Sequence, residues 1–412
     1  MFFIFYKIFF SLENLISKCY NYKKRKRKVI ILKEQGIPKE FLEAEGDAVI
    51  IGSKHILIGK KNIYDTTKNN VLIIGPGKTG KDYGITYPTI VEGWKGNKII
   101  LDMQKKVSGS IGKFLKEESS VWTFYPEDKS TLKYNPFENI DFEIENHKEK
   151  IKEIWKILLE NDNENIKKLT DMTLEIYNEE KEIPNLPKVY SKFKNSNGNL
   201  ESIDFLLEDD AMELLSKNEV DLKRIMDSAA PRNFFFGCNF YNKTLKKWNG
   251  ILKILLHQFS EYSKGRENVK EVLLILTEPF ELGKIEDFTK KIKIFNENNV
   301  RVFLAFNSVN QIEKVYSNEA KEILDLFGTK VFFAPEDNET AKYISTRIGT
   351  KPVADHSWFL KTASVKEKIR FASPENLRKL SPAKEVVIIR NNEGHKNVFI
   401  CNKNLLMDKY LK

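Results

Sequence analysis

The chain has 412 residues, 41% hydrophobic and 31% charged, which provides a sizeable core and excludes a disordered or fibrous class. Cys19, Cys238 and Cys401 are widely separated and include no C-x-x-C pair, so neither a disulfide framework nor a zinc site is indicated and a reducing compartment fits. The net charge of +10 is concentrated: residues 1–33 carry nine basic residues against Glu13, leaving +2 for the other 379, which points to a membrane-facing or phosphate-facing N-terminus rather than a DNA-binding core.

In chain order, Met1 to Tyr20 is apolar but interrupted by Lys7, Glu13, Asn14 and Lys18. A hydrocarbon span needs about 20 predominantly apolar residues, so this is not a clean one. Lys7, Ser11, Asn14 and Lys18 share one helical face, and Lys23 to Lys28 is an unbroken basic run. That pattern predicts an interfacial anchor over residues 1–28 on an anionic membrane surface. A basic tail or a nucleic-acid arm are the alternatives, and no small-residue cleavage site follows to suggest a signal peptide.

Short apolar runs at Val29–Leu32, Val49–Ile51 and Ile56–Ile58 predict small strands. Val71–Ile74 then reads as a buried strand that runs into Gly75-Pro76-Gly77-Lys78-Thr79-Gly80-Lys81-Asp82, with helix-compatible sequence beyond. This is a phosphate cradle: glycines let backbone amides close around an anion, a helix start faces it, and Lys81 adds a point charge. Asp82 stands where a Ser or Thr hydroxyl usually meets magnesium. Ile99–Leu101, ending in Asp102, and Val121–Phe124 predict further strands.

Near Ile140 the sequence turns polar and helical, with Ile151, Ile154, Trp155, Leu158 and Leu159 on one face. Strand character resumes at Phe234–Phe236, then Val272–Leu276, Val300–Phe306, Val331–Phe333 and Val386–Ile389. The reading is α/β: a doubly wound, mainly parallel sheet with an all-α insertion. Its parts are the N-terminal segment 1–28, a nucleotide-binding domain in two pieces, 29–139 and 231–412, and the insertion, 140–230.

In P-loop NTPases another strand ends in an Asp that holds magnesium, often followed by a Glu that polarises water. Leu276-Thr277-Glu278 is the segment in that setting. Thr277 offers a neutral oxygen where a carboxylate would serve a hard cation better, whereas Glu278 sits where a catalytic base belongs. Asn307, after Val300–Phe306, is the candidate γ-phosphate sensor. Asp82, Thr277 and Asp102 are the candidate magnesium ligands. The five histidines are scattered, with no H-E-x-x-H, and no G-x-S-x-G elbow occurs.

Val71–Asp82, Tyr87-Pro88-Thr89-Ile90, Leu101-Asp102 and Tyr134-Asn135-Pro136-Phe137 occur in an order that resembles the type IV coupling proteins of conjugation and type IV secretion. So do Glu278–Lys284, Ser308–Tyr316 and Glu339–Ser345 with Gly349-Thr350. The resemblance runs from about Ile56 to the C-terminus. It implies a RecA-like, membrane-anchored motor at the cytoplasmic membrane with its body facing the cytoplasm. Such a motor assembles as a homohexamer and uses ATP and Mg2+. It receives a relaxase–DNA complex or secreted protein and hands it to type IV secretion channel components. Three polar features depart from that family: Thr277 for Asp, Asn307 for Gln, and Gln104-Lys105-Lys106 for Lys-Gly-Glu. The N-terminal segment is also short for the family. The expected function is a coupling protein that uses or senses ATP; the alternative is a docking homologue that recruits substrate without turnover.

Overall fold

The structure is a computed structural model that describes residues 37–404 except 56–59, 119, 161, 240–242, 267–268, 353–367, 371 and 392. The expected anchor at 1–28 and the strands expected at Val29–Leu32 and Ile56–Ile58 lie outside the described residues. The strands are β1 Val49–His55, β2 Lys60–Asp65, β3 Val71–Ile74, β4 Lys98–Asp102, β5 Ser120–Phe124, β6 Arg232–Phe236, β7 Val272–Thr277 and β8 Val300–Phe306. They continue with β9 Thr329–Phe332, β10 Thr350–Pro352, β11 Lys368–Arg370, β12 Lys384–Arg390 and β13 Lys396–Asn402.

Eleven of these strands form one sheet in the order β2-β1-β13-β12-β9-β3-β8-β7-β4-β6-β5. From β9 to β5 every pairing is parallel. At the other end β12, β13, β1 and β2 pair antiparallel. β10 and β11 form a separate antiparallel pair.

The central strands are apolar on both faces because both faces are covered. In β3, Leu72 and Ile74 join a core with Leu101, Phe236, Leu274 and Phe306, while Val71 and Ile73 point the other way, to Ile85, Ile90, Trp94 and Phe303. The first face carries the helical stretch that follows Ile140. Its longer members are His147–Leu159, Asn163–Glu180 and Leu186–Asn195, and no strand occurs among its described residues up to Ala230. Trp155 and Ile151 sit in the same core as the sheet, packed with the helix Asn249–Ser263. His257 on that helix meets Glu153 at 3.1 Å, so it is a packing residue.

The segment after the cradle is a widened helix. Tyr87 N donates to Asp82 O, and Trp94 N to Thr89 O at 2.8 Å, both five residues apart. Pro88 explains the width: it has no N–H to offer Gly84, and its ring crowds that carbonyl. The helix α1, Lys106–Glu118, follows β4.

Candidate phosphate-binding site

Parallel pairing brings the carboxyl ends of four strands to one edge, where ligands of open α/β sheets bind. Ile74 is level with Phe306, and Thr277 with both Asp102 and Ala305. Strand β8 therefore lies between the cradle strand and the strand that delivers Thr277 and Glu278.

The cradle takes its shape from three positions. A Cβ on Gly75 would lie 2.7 Å from Phe333 Cβ, so the loop passes that ring only as glycine. Gly80 has φ 86, and Lys78, not Gly77, holds the other left-handed conformation, at φ 62. Lys81 folds back over the loop: its Nζ donates to Gly75 O, to Pro76 O at 3.0 Å and to Asn307 Oδ1 at 2.9 Å. Burial lowers its pKa to about 8, so the ammonium is poorly solvated and primed for an anionic partner. Gln311 Oε1 accepts from Asn307 N at 3.0 Å and fixes that corner.

The other predicted residues are placed less simply. Glu278, in a left-handed conformation at φ 50, forms an ion pair with Lys106 Nζ at 3.0 and 3.1 Å. The buried Thr277 hydroxyl donates to Leu101 O at 2.6 Å, which ties β7 to β4 and turns the oxygen into the sheet. Asp102 is fully buried and accepts from Val107 N at 2.9 Å, Ser108 N at 2.8 Å and Tyr125 OH at 2.8 Å. It holds the start of α1, where a carboxylate meets both free amides and the positive helix end. The Asp82 carboxylate has no hydrogen-bond partner among the described residues, and burial raises its pKa.

A magnesium site drawn from Asp82, Thr277 and Asp102 is therefore not assembled. Two of the three oxygen donors are committed elsewhere, and only Asp82 offers an uncommitted carboxylate. Among the described residues no three His, Cys, Asp or Glu side chains group as a metal cluster. The donor set does not fit a tightly held divalent ion, which favours several well-placed oxygens.

Sequence reasoning missed Lys403. Its Nζ donates to Thr79 O at 2.5 Å and lies 4.5 Å from the Phe333 ring centroid, bracing the cradle from the end of β13. Beside it opens a cleft of about 830 Å³ lined by Lys78, Thr79, Pro335, Arg378, Leu380 and Lys403, with room for a nucleoside. The quoted motifs further out are structural. Thr89 Oγ1 accepts from Ile50 N at 3.0 Å, Asn135 Oδ1 accepts from Phe137 N at 3.2 Å, and Tyr134 OH donates to Gln258 Oε1 at 2.7 Å.

Residues 20–171 match the family model described as type IV secretory system conjugative DNA transfer, and residues 271–387 the one described as the TraM recognition site of TraD and TraG. Protein VirD4 of Rhizobium radiobacter is 28% identical over 135 residues, 31% of this chain and 20% of that protein. Protein VirD4 of Agrobacterium fabrum (strain C58 / ATCC 33970) is 28% identical over 145 residues, again 20% of its length. The matched stretch thus spans about a fifth of these curated relatives. Among solved structures, the conjugative coupling protein TrwBdeltaN70 in its unbound form has a TM-score of 0.63 at 14% identity, covering 90% of this chain and 92% of that one. TrwB in complex with ADP and Mg2+ has a TM-score of 0.65 at 13% identity, covering 89% and 90%. VirB4 of Thermoanaerobacter pseudethanolicus has 0.57 at 13%, covering 88% and 97%. These likenesses give the fold, a RecA-like P-loop domain. No helix among the described residues is long and apolar enough to cross a membrane.

Proposed function

The chain belongs to the type IV coupling protein family, and on that premise we propose that it binds a nucleoside triphosphate at Gly75–Asp82 and uses it to link a substrate to a type IV secretion channel. The substrate is a relaxase–DNA complex or a secreted protein, received at the cytoplasmic face of the membrane. The observation that carries the reading is the bridge from Lys81 through Asn307 to β8, beside the strand that delivers Glu278.

Lys81 exchanges its loop carbonyls for phosphate oxygens, a stronger charge-assisted pairing. That frees Asn307 to report the terminal phosphate through Gln311 to the helix Val309–Tyr316. Glu278 is the group that orients water, once its pairing with Lys106 loosens. The helical stretch 140–230 is the substrate-facing part, the segment 1–28 holds the anionic membrane surface, and six copies form the working ring. ATP is the nucleotide, and a magnesium ion that arrived with it would meet Asp82 as the one uncommitted carboxylate. The Thr277 and Glu278 contacts favour slow turnover, so a sensing role without hydrolysis is the second reading.

ATP turnover by the full chain, alone and with Lys81→Ala or Glu278→Gln, tests this, together with cargo transfer by a host complemented with each form. Turnover and transfer lost with Lys81→Ala support a motor. Transfer lost by Lys81→Ala but kept by Glu278→Gln, without measurable turnover in the native chain, supports sensing. Transfer kept in both variants overturns the proposal.

A further inference from the structure

Lys106 stands at the first turn of α1, where Asp102 fixes the helix start through Val107 N and Ser108 N at 2.9 and 2.8 Å. Its side chain therefore leaves the sheet edge from a set position. It reaches from the end of β4 across to Glu278 at the end of β7, with Nζ 3.0 and 3.1 Å from the carboxylate oxygens. Glu278 follows Thr277, which is level with Ala305 on β8, and Asn307 just beyond β8 accepts from Lys81 Nζ at 2.9 Å, so the Lys106–Glu278 pair stands at the strand ends beside the cradle.

That edge is where P-loop NTPases neutralise the β- and γ-phosphates with a divalent cation held by a strand-end aspartate. Here position 277 is a threonine whose hydroxyl faces Leu101 O at 2.6 Å, and Asp102 is committed to α1. A neutral residue in place of an aspartate removes one negative charge, and Lys106 adds one positive charge. Together they shift this edge by two positive units, of which Asp82, in the place of a neutral Ser or Thr, takes back up to one.

We infer that Lys106 supplies, from the chain itself, the cationic charge that a magnesium ion would bring to the terminal phosphates, so that a nucleoside triphosphate binds here with little dependence on magnesium. The inference rests on the nucleotide reading above. Lys106 swings only from Glu278 to the phosphate, and the same movement uncovers Glu278. An ammonium suits this role because it is a compact point charge on a flexible stem.

Equilibrium binding of a non-hydrolysable ATP analogue to the full chain, in millimolar magnesium and in EDTA, tests the inference. The variants are Lys106→Met and Thr277→Asp, with thermal melts to verify folding. The native chain is expected to differ less than about threefold between buffers. Lys106→Met is expected to lose about tenfold in EDTA and to recover in magnesium, as removal of one nearby charge requires. Thr277→Asp is expected to weaken binding in EDTA. The inference is overturned if the folded native chain binds more than tenfold tighter with magnesium, or if folded Lys106→Met binds equally well in EDTA. Absence of binding by the folded native chain in either buffer overturns the nucleotide reading itself, and the inference with it.

Discussion

Asp102→Asn separates a structural carboxylate from a metal-binding one. Asp102 is fully buried, and its two oxygens take three donors, Val107 N, Ser108 N and Tyr125 OH, at 2.8 to 2.9 Å. Asparagine keeps one acceptor oxygen and turns an NH2 towards groups that the second oxygen served. Tyr125 can rotate its hydroxyl to accept, but Ser108 N cannot, and one buried amide loses its partner at about 1–3 kcal/mol. Loss of the negative charge at the start of α1 adds about 0.3–1 kcal/mol. Burial raises the Asp102 pKa, so removing a poorly solvated carboxylate returns part of that cost, and about 2 kcal/mol remains. At about 1–2 °C per kcal/mol for a chain of this size, a thermal melt should fall by about 2–4 °C. Affinity for the ATP analogue, measured in magnesium and in EDTA, should change less than about threefold in the folded variant. An unchanged melt with a magnesium-dependent affinity lost more than tenfold would refute the reasoning and make Asp102 a metal ligand.

Arg301 and Asp65 are 1% and 0% exposed at their side chains and meet at 2.7 Å, so Arg301→Met should cost about 3–5 kcal/mol in urea unfolding. Lys168→Met, which breaks the exposed i,i+4 pair with Glu164, should cost no more than about 0.5 kcal/mol in the same assay. Gly75→Ala drives a methyl to 2.7 Å from Phe333 Cβ and should weaken nucleotide binding at least about tenfold, with Phe333→Ala restoring part of it. Glu385 is fully buried, with Oε2 unpartnered and Oε1 3.5 Å from Cys401 Sγ, and burial holds its pKa well above the carboxylate range. The folded chain therefore keeps a proton that the unfolded chain releases above pH 4.5, so this group's stabilisation is full below that pH and is lost as pH rises. Glu385→Gln should gain on the native chain by up to about 1.4 kcal/mol per pH unit across that window, and parallel stability curves from pH 4.5 to 7.5 would contradict this.

The parallel half of the sheet was legible because strands buried on both faces are unbroken apolar runs, as in Val71–Ile74 and Val272–Leu276. The antiparallel end was less so. β2, Lys60–Asp65, carries two lysines, an asparagine and an aspartate, and β13, Lys396–Asn402, opens on Lys-Asn; neither reads as a strand alone. The register that buries Ile63 and Phe399 comes from hairpin pairing with the preceding strand, Ile63 opposite Gly52 and Phe399 opposite Val387, and not from the residues of either strand alone.

In the site, the cradle could be read because its chemistry is contiguous in sequence. Lys106 and Glu278 are 172 positions apart and meet only because β4 lies beside β7. Lys403 reaches Thr79 from 324 positions away. Asp102 was recognisable as a strand-end acid, but its role was not. Gln104 and Lys105, with φ 69 and 54, make an irregular turn that lets it cap a helix beginning beyond the usual capping distance.

The account stands on Lys81 as the phosphate-binding cation. Equilibrium binding of a non-hydrolysable ATP analogue to the full chain and to Lys81→Ala tests it most directly, because that ammonium links Gly75, Pro76 and Asn307 in one contact set. The account predicts saturable binding by the native chain, weakened at least about tenfold in a variant whose melt stays within about 2 °C. Equal affinity in the two folded proteins, or none in the native chain, would contradict it.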